Sequence, residues 1–337
     1  MKSRRPAGSR PGPPRLALVI GSGGVRSIAA AGVAQVLQAA GLRPDLIVGC
    51  SSGALFGAAI ATGAGSDETL RAATAFWRPE LTEQRRWRAY LQMLLPRLAG
   101  FDADFSLRDD RLIAGTVHTA FGDLRLEELQ TPLRVAATDA ASGEPVVLSR
   151  GPVAEAVRAS MALPFLFPPV NVDGRRLVDG VVSDPLPVSA ACDAQVVVAL
   201  GFAGAMPRRI DRPSRLFAQA STALTNNLMR ARLDAARAAG QRVLNLELTL
   251  TRHVGLWQTD ALPYLFDAGV RLAQSRLPEI AALVDAAGAR GRAVPRERAD
   301  PSVAAGRAEP AEAAPTEPAA FRALPLRALH ELPHVSR

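Results

Sequence analysis

The chain has 337 residues, 48% hydrophobic and 21% charged, with a formal net charge of +8, a composition that belongs to a globular protein with ample core. The charge sits at the ends: Lys2, Arg4, Arg5, Arg10 and Arg15 stand without an acid among them, eight arginines against six acids follow residue 288, and residues 16–288 carry only +1. A nearly neutral body gives no support to a nucleic-acid groove, and two cysteines, Cys50 and Cys192, exclude a disulfide framework or a zinc site of paired cysteines.

In chain order, residues 1–14 are rich in Arg, Gly and Pro and read as a disordered basic arm. Leu16–Ile20 is an apolar run of strand character that ends in Gly21-Ser22-Gly23-Gly24, and is too short for a signal-peptide core. Val25, Ile28, Ala29, Gly32, Val33, Val36, Leu37 and Ala40 then recur at helical spacing, closed by Gly41. Leu46–Val48 is the next strand and 51–61 the next helix, and strand, loop, helix, strand is a βαβ unit with a parallel sheet. Residues 46–66 hold no charge, but five glycines and the Gly-Ser turn interrupt them, so they read as buried βα core and not as a membrane span. Residues 67–98 read as helical with a break near Pro79, and Phe76, Trp77, Trp87 and Tyr90 as packing contacts.

Farther on, 134–138 and 145–148 read as strands around the turn 141–144, and 152–160 as a short helix with Pro at its start. Asp173-Gly174 between 170–172 and 176–178 is a hairpin signal. Strands are expected at 195–200 and 243–248. A long helix is expected at 214–239, with Phe217, Ala220, Leu224, Leu228, Ala231 and Ala235 on its inner face. Residues 261–287 read as helical with a break before Pro278, and from 289 to 337 seven prolines among Ala, Arg and Glu mark a disordered tail.

The chemistry centres on Gly49-x-Ser51-x-Gly53. A sharp strand-to-helix turn leaves room for almost no side chain two residues either side of the serine, and it exposes the hydroxyl at a helix N-terminus. The loop Gly21–Ser27 is a place where glycine N–H groups can face a developing oxyanion. It can also be read as a phosphate loop, although Arg26 stands where a dinucleotide fold wants glycine and the Lys-Ser/Thr ending of a P-loop is missing. Asp45 would serve that reading as a ribose acid. The base is open on spacing alone. His118, His253, His330 and His334 are the only histidines, and His253 follows the last strand, where a triad hydrolase holds its base. Asp179-Gly180 follows a predicted strand and reads either as a base or as a hairpin end.

Together these residues resemble the patatin-like phospholipases. The likeness runs from about residue 16 to 200: the glycine loop with Arg26, the Gly49-Cys50-Ser51-Ser52-Gly53 elbow and Ala137-Thr138-Asp139 with Gly143-Glu144. Then come Ala159-Ser160-x-Ala162-x-Pro164-x-x-Phe167-Pro168, Asp179-Gly180 and Asp184-Pro185-Leu186-Pro187. The resemblance implies Ser51 as nucleophile and Asp179 as its base in a dyad, N–H groups of Gly23 and Gly24 as oxyanion donors, and Arg26 as a brace for that loop. Ser22 and Ser27 replace glycines of the family's loop, Val181 follows Asp-Gly where Gly or Ala is usual, and Asp184 stands where Asn is usual.

The reading is an α/β protein with the three-layer α/β/α patatin-like fold, a mostly parallel central sheet and its domain at 15–288. It is a lipid ester hydrolase without metal or cofactor, with lipid ester as substrate, no nucleic acid as partner, a cytoplasmic location and contact with anionic membrane through the basic arm. Its rivals are a nucleotide-binding protein and an inactive interaction module of the same fold.

Overall fold

The computed structural model describes residues 13–77, 86–206 and 209–293. The arm up to residue 12, the break near Pro79 and the tail from 294 lie outside them. Eight strands are described: β1 Leu16–Ile20, β2 Leu46–Cys50, β3 Leu133–Asp139, β4 Pro145–Leu148, β5 Val170–Val172, β6 Arg175–Asp179, β7 Val196–Gly201 and β8 Val243–Glu247. The helices are α1 Ala29–Ala39, α2 Ser52–Ala61, α3 Ser66–Phe76, α4 Trp87–Leu94, α5 Arg111–Phe121, α6 Val153–Met161, α7 Pro213–Ala238 and α8 Leu262–Ala293.

One sheet holds all eight strands. Its centre is parallel (β3-β2-β1-β7-β8), and β4, β5 and β6 form an antiparallel edge. Alternation along the central strands divides the core into two layers. Leu16, Leu18 and Ile20 of β1, with Val196, Val198 and Leu200 of β7, pack against α1, α2 and α8. Ala17, Val19, Val197 and Ala199 face the opposite side, where the 3-10 turn Val188–Ala191 and the end of α7 cover them. The fold is a three-layer α/β/α sandwich with a mostly parallel sheet. Among the described residues no helix is long and apolar enough to cross a membrane.

The register around β3 positions the site. Ala136 pairs with Cys50 of β2 and with Val147 of β4, while Ala137 pairs with Val146 of β4 and with Asp179 of β6. A strand residue has only two edges, so β2 and β6 follow one another along the edge that β4 leaves. One runs parallel to β3 and the other antiparallel, so their C-terminal ends meet and the residues after Cys50 face Asp179.

Three expectations change. α8 continues through Pro278: Ala273, Ile280, Val284 and Ala287 keep one buried face in phase, and that packing outweighs the one N–H that proline lacks. The expected inner face of α7 is out of phase: Phe217 and Leu224 are exposed, while Leu233 and Ala236 are buried and Met229 packs beside them. Only the C-terminal part of this helix lies over the sheet, so its N-terminal apolar residues have no layer to enter. Among the aromatic contacts expected in 67–98, Trp77 is buried and stacks between Phe56 and Trp257, but Trp87 and Tyr90 are exposed.

Candidate active site

Ser51 sits between β2 and α2 with φ 57° and ψ −127°, a backbone conformation that L-residues rarely take. The turn is held by contact. A Cβ on Gly49 would come 2.5 Å from the Ala54 Cα, and one on Gly53 would collide with the Ile20 carbonyl oxygen. The Ser51 N–H donates to Ser160 Oγ at 2.7 Å, and Ser160 Oγ donates to the Ala136 carbonyl at 2.6 Å. One α6 hydroxyl thus ties the turn to β3.

The Ser51 hydroxyl donates to Asp179 Oδ2 at 2.7 Å, the contact that the register of β2 and β6 sets up. Asp179 Oδ1 accepts the Val181 N–H at 2.9 Å, and its backbone is held by Asp179 N–H to the Ala162 carbonyl at 2.9 Å and by Thr138 Oγ1 to the Asp179 carbonyl at 3.0 Å. Burial raises this carboxyl to about 7, against the lowering effect of the Val181 and Ser51 hydrogen bonds. Gly180 lies under the same junction: a Cβ there would stand 2.6 Å from the Ala136 oxygen and 3.0 Å from Cys50 Sγ. The Cys50 thiol is buried and pushed up by desolvation, then by Asp179 and Asp184, so it is not a competing nucleophile.

The glycine loop turns into the 3-10 turn Gly24–Ile28 beside the elbow. The Gly23 N–H donates to Ser52 Oγ at a long 3.3 Å; Ser52 Oγ lies 2.9 Å from Ser27 Oγ, which donates to the Gly21 carbonyl at 3.2 Å. Arg26 Nε donates to the Gly23 carbonyl at 3.1 Å, and Nη1 to the Ala203 carbonyl at 3.0 Å. Its guanidinium lies 5.9 Å from the Phe202 ring, and burial lowers its pKa. Gly24 has φ 60° and backs onto the Leu256 carbonyl.

The structure therefore brings Ser51, Asp179, Gly180, Gly49 and Gly53 together, with Gly23, Gly24 and Arg26 on the adjoining loop. His118 and His253 are exposed, and the Ser51 hydroxyl is bonded to the carboxylate. Asp45 accepts the backbone N–H of Arg15 and Leu16, a structural role at the foot of β1. The positioning hydroxyls of Ser160, Ser52 and Ser27 received no role from sequence reasoning. Ser160 and Ser52 lie inside the family's motifs, and Ser27 stands where the family's loop has glycine. Asp184 is also buried and raised to about 6 by desolvation, with Ser189 Oγ donating to it at 3.1 Å and Arg232 Nε 3.9 Å away.

Comparison with known proteins bears on this arrangement. The family described as Patatin-like phospholipase matches residues 18–192. An uncharacterized NTE family protein of Mycobacterium tuberculosis is 37% identical over 205 residues, 60% of this chain and 53% of the relative. The chain thus spans about half the length of that relative. Neuropathy target esterase sws of Drosophila sechellia is 31% identical over 177 residues, 51% of this chain and 11% of the esterase. Among solved structures, VipD from Legionella pneumophila aligns with 77% of this chain and 66% of its own, at 16% identity and a TM-score of 0.40. The match over 18–192 takes in the glycine loop, the elbow, β6 and Asp179, and it covers more than half of the sequence: this chain belongs to the patatin-like phospholipase family.

Proposed function

We propose that the protein is a serine acyl hydrolase acting on carboxylic esters of lipids, phospholipid or lysophospholipid among them. The observation that carries this reading is the 2.7 Å hydrogen bond from Ser51 Oγ to a buried carboxylate whose pKa is raised to about 7. A carboxylate that desolvation makes more basic can accept a hydroxyl proton near neutrality, the task that histidine performs in a triad.

Ser51 Oγ attacks the acyl carbonyl carbon as its proton passes to Asp179 Oδ2. The carbonyl π pair moves to oxygen, and the N–H groups of Gly23 and Gly24 receive that oxyanion. The bond from Gly23 N–H to Ser52 Oγ is the weak one to be exchanged for it. Collapse of the tetrahedral species expels the alcohol part of the ester, which takes the proton from Asp179. Water then attacks the acyl-serine with Asp179 again accepting a proton, and as the Oγ–C bond breaks Asp179 returns that proton to Ser51 Oγ and the fatty acid leaves. Arg26 holds the loop through the Gly23 carbonyl, so its contribution is orientation of the donating peptides.

Purified protein treated with a fluorophosphonate probe tests the assignment. Labelling at Ser51, lost in Ser51→Ala together with fatty-acid release from lysophospholipid micelles, is the expected result. An unlabelled protein with the parent sequence would identify the fold as a non-catalytic module.

A further inference from the structure

We propose that residues 86–101 form a docking element by which this protein seats itself on an anionic phospholipid surface. The inner face of α4 is made of Ala89 and Gln92, small and polar, with Gln92 Nε2 donating to the Gly100 carbonyl at 2.8 Å. The apolar side chains point the other way. Trp87, Leu91, Leu94, Leu95, Leu98 and Phe101 are all exposed, Trp87 to 74%, Leu94 to 77% and Leu98 to 85%. This inverts the pattern of an amphipathic helix on a protein core and matches that of an interfacial helix, whose apolar face enters the headgroup boundary. A contiguous apolar patch of this kind marks an interaction surface.

Charge selects the partner. From 86 to 101 the sequence holds Arg86, Arg88 and Arg97 and no acid. After residue 101 the first carboxylates are Asp102 and Asp104, and Asp104 is paired with Arg176. Tryptophan and leucine flanked by arginine suit a bilayer surface carrying negative headgroups, which attract basic residues near the surface.

The element is joined to the loop that follows α6. Phe101 packs on Phe105 at 5.1 Å between centroids, and Phe105 meets Phe165 edge-on at 6.0 Å. Leu107 N–H donates to the Phe165 carbonyl and Arg108 N–H to that of Leu166. Phe165, itself exposed and held at φ 69°, stands three residues after Ala162, whose carbonyl accepts the Asp179 N–H. Docking through 86–101 would then hold a lipid surface against the segment whose Ala162 carbonyl backs Asp179. The value of this placement rests on the lipid-ester reading, whereas the docking itself does not.

The test uses the full chain, Leu94→Glu/Leu98→Glu and Trp87→Phe, with vesicles of phosphatidylcholine and phosphatidylglycerol in equal parts. The parent should co-sediment with them, and the double variant should lose at least about tenfold in partitioning, with an unchanged rate on a soluble short-chain ester and an unchanged melting temperature. Vesicles should shift parent tryptophan emission to the blue, and Trp87→Phe should remove most of that shift. Equal vesicle binding by parent and double variant overturns the proposal, as does a parent dimer that the double variant dissociates, because a second copy would then own the surface. If vesicle binding behaves as expected but the parent turns over no ester, docking stands and the hydrolase reading falls.

Discussion

At the scale of single residues, the catalytic reading depends on a carboxylate that is costly to ionise. Asp179 is raised to about 7 by burial, so the folded chain keeps this proton at pH values where the unfolded chain has lost it. Stability is therefore lost as pH rises from about 4 through about 7. Asp179→Asn is neutral throughout and escapes that cost. We expect it to be as inactive as Ser51→Ala yet to melt higher than the parent at pH 8, by roughly 2–4 °C per kcal/mol recovered, with the gain vanishing below pH 4. Calorimetry beside a rate assay separates the two effects, and a variant that melts lower at pH 8 would refute the desolvation argument. In the proposed mechanism the same group sets the rate profile: kcat/KM on a soluble ester should rise about tenfold per pH unit below 7 and level off above it. That limb should survive singly replacing His118, His253, His330 and His334, and its loss in His253→Ala would return the protein to triad chemistry. Gly23→Ala should cost about two to three orders of magnitude in kcat, since the new Cβ lies 2.5 Å from the Phe202 ring and the loop must shift. Gly65→Ala, with nothing within 4 Å, is its neutral control.

At the scale of elements, burial and periodicity part company in α7. The stripe through Phe217 and Leu224 is helical in spacing but exposed, and the chain is anchored instead by Leu233 and Ala236 against Leu186, Val188 and Ala191. Leu233→Ala should lower unfolding stability by about 2–4 kcal/mol. Leu224→Ser should change it by less than about 0.5 kcal/mol. Denaturant melts with unchanged m-values decide this, and the reverse ranking would restore the stripe read from the sequence. In α6 the Ser160 hydroxyl joins the Ser51 turn to β3. Ser160→Ala leaves the Ser51 N–H without its acceptor and should lower kcat with little change in KM if Ser160 acts only by orienting the turn.

At the scale of the whole molecule, the sheet closes on its N-terminal strand. The carbonyls of Pro14 and Arg15 accept the N–H groups of Gln195 and Val196, and β1 lies between β2 and β7. A chain beginning at Pro13 should keep its fold and its rate on a soluble ester. One beginning at Ala17 loses Leu16 and the backbone that Asp45 caps, and should melt well below the parent by circular dichroism. Full stability in the shorter chain would mean that β1 is dispensable.

How much of this was legible depends on the range of the interaction involved. The strands of the parallel core, the Asp173-Gly174 hairpin and the glycine-flanked elbow are written in runs of five to ten residues, because a buried strand must be apolar throughout and a crowded turn must be nearly bare. Resemblance added the pairing of Ser51 with Asp179, which lie 128 residues apart and which no local pattern links. Only the tertiary structure decided which apolar stripes are covered. Whether Trp87 or Leu224 enters a core depends on where the sheet ends, a property of all eight strands together. It also decided the bond from the Ser51 N–H to Ser160 Oγ and the contact of Ser27 Oγ with Ser52 Oγ, since a serine's partner is set by the backbone brought against it. The raised pKa of Asp179 belongs to the same class: the carboxyl is written in the sequence, but its basicity comes from exclusion of water by β2, β3 and β6 closing around it.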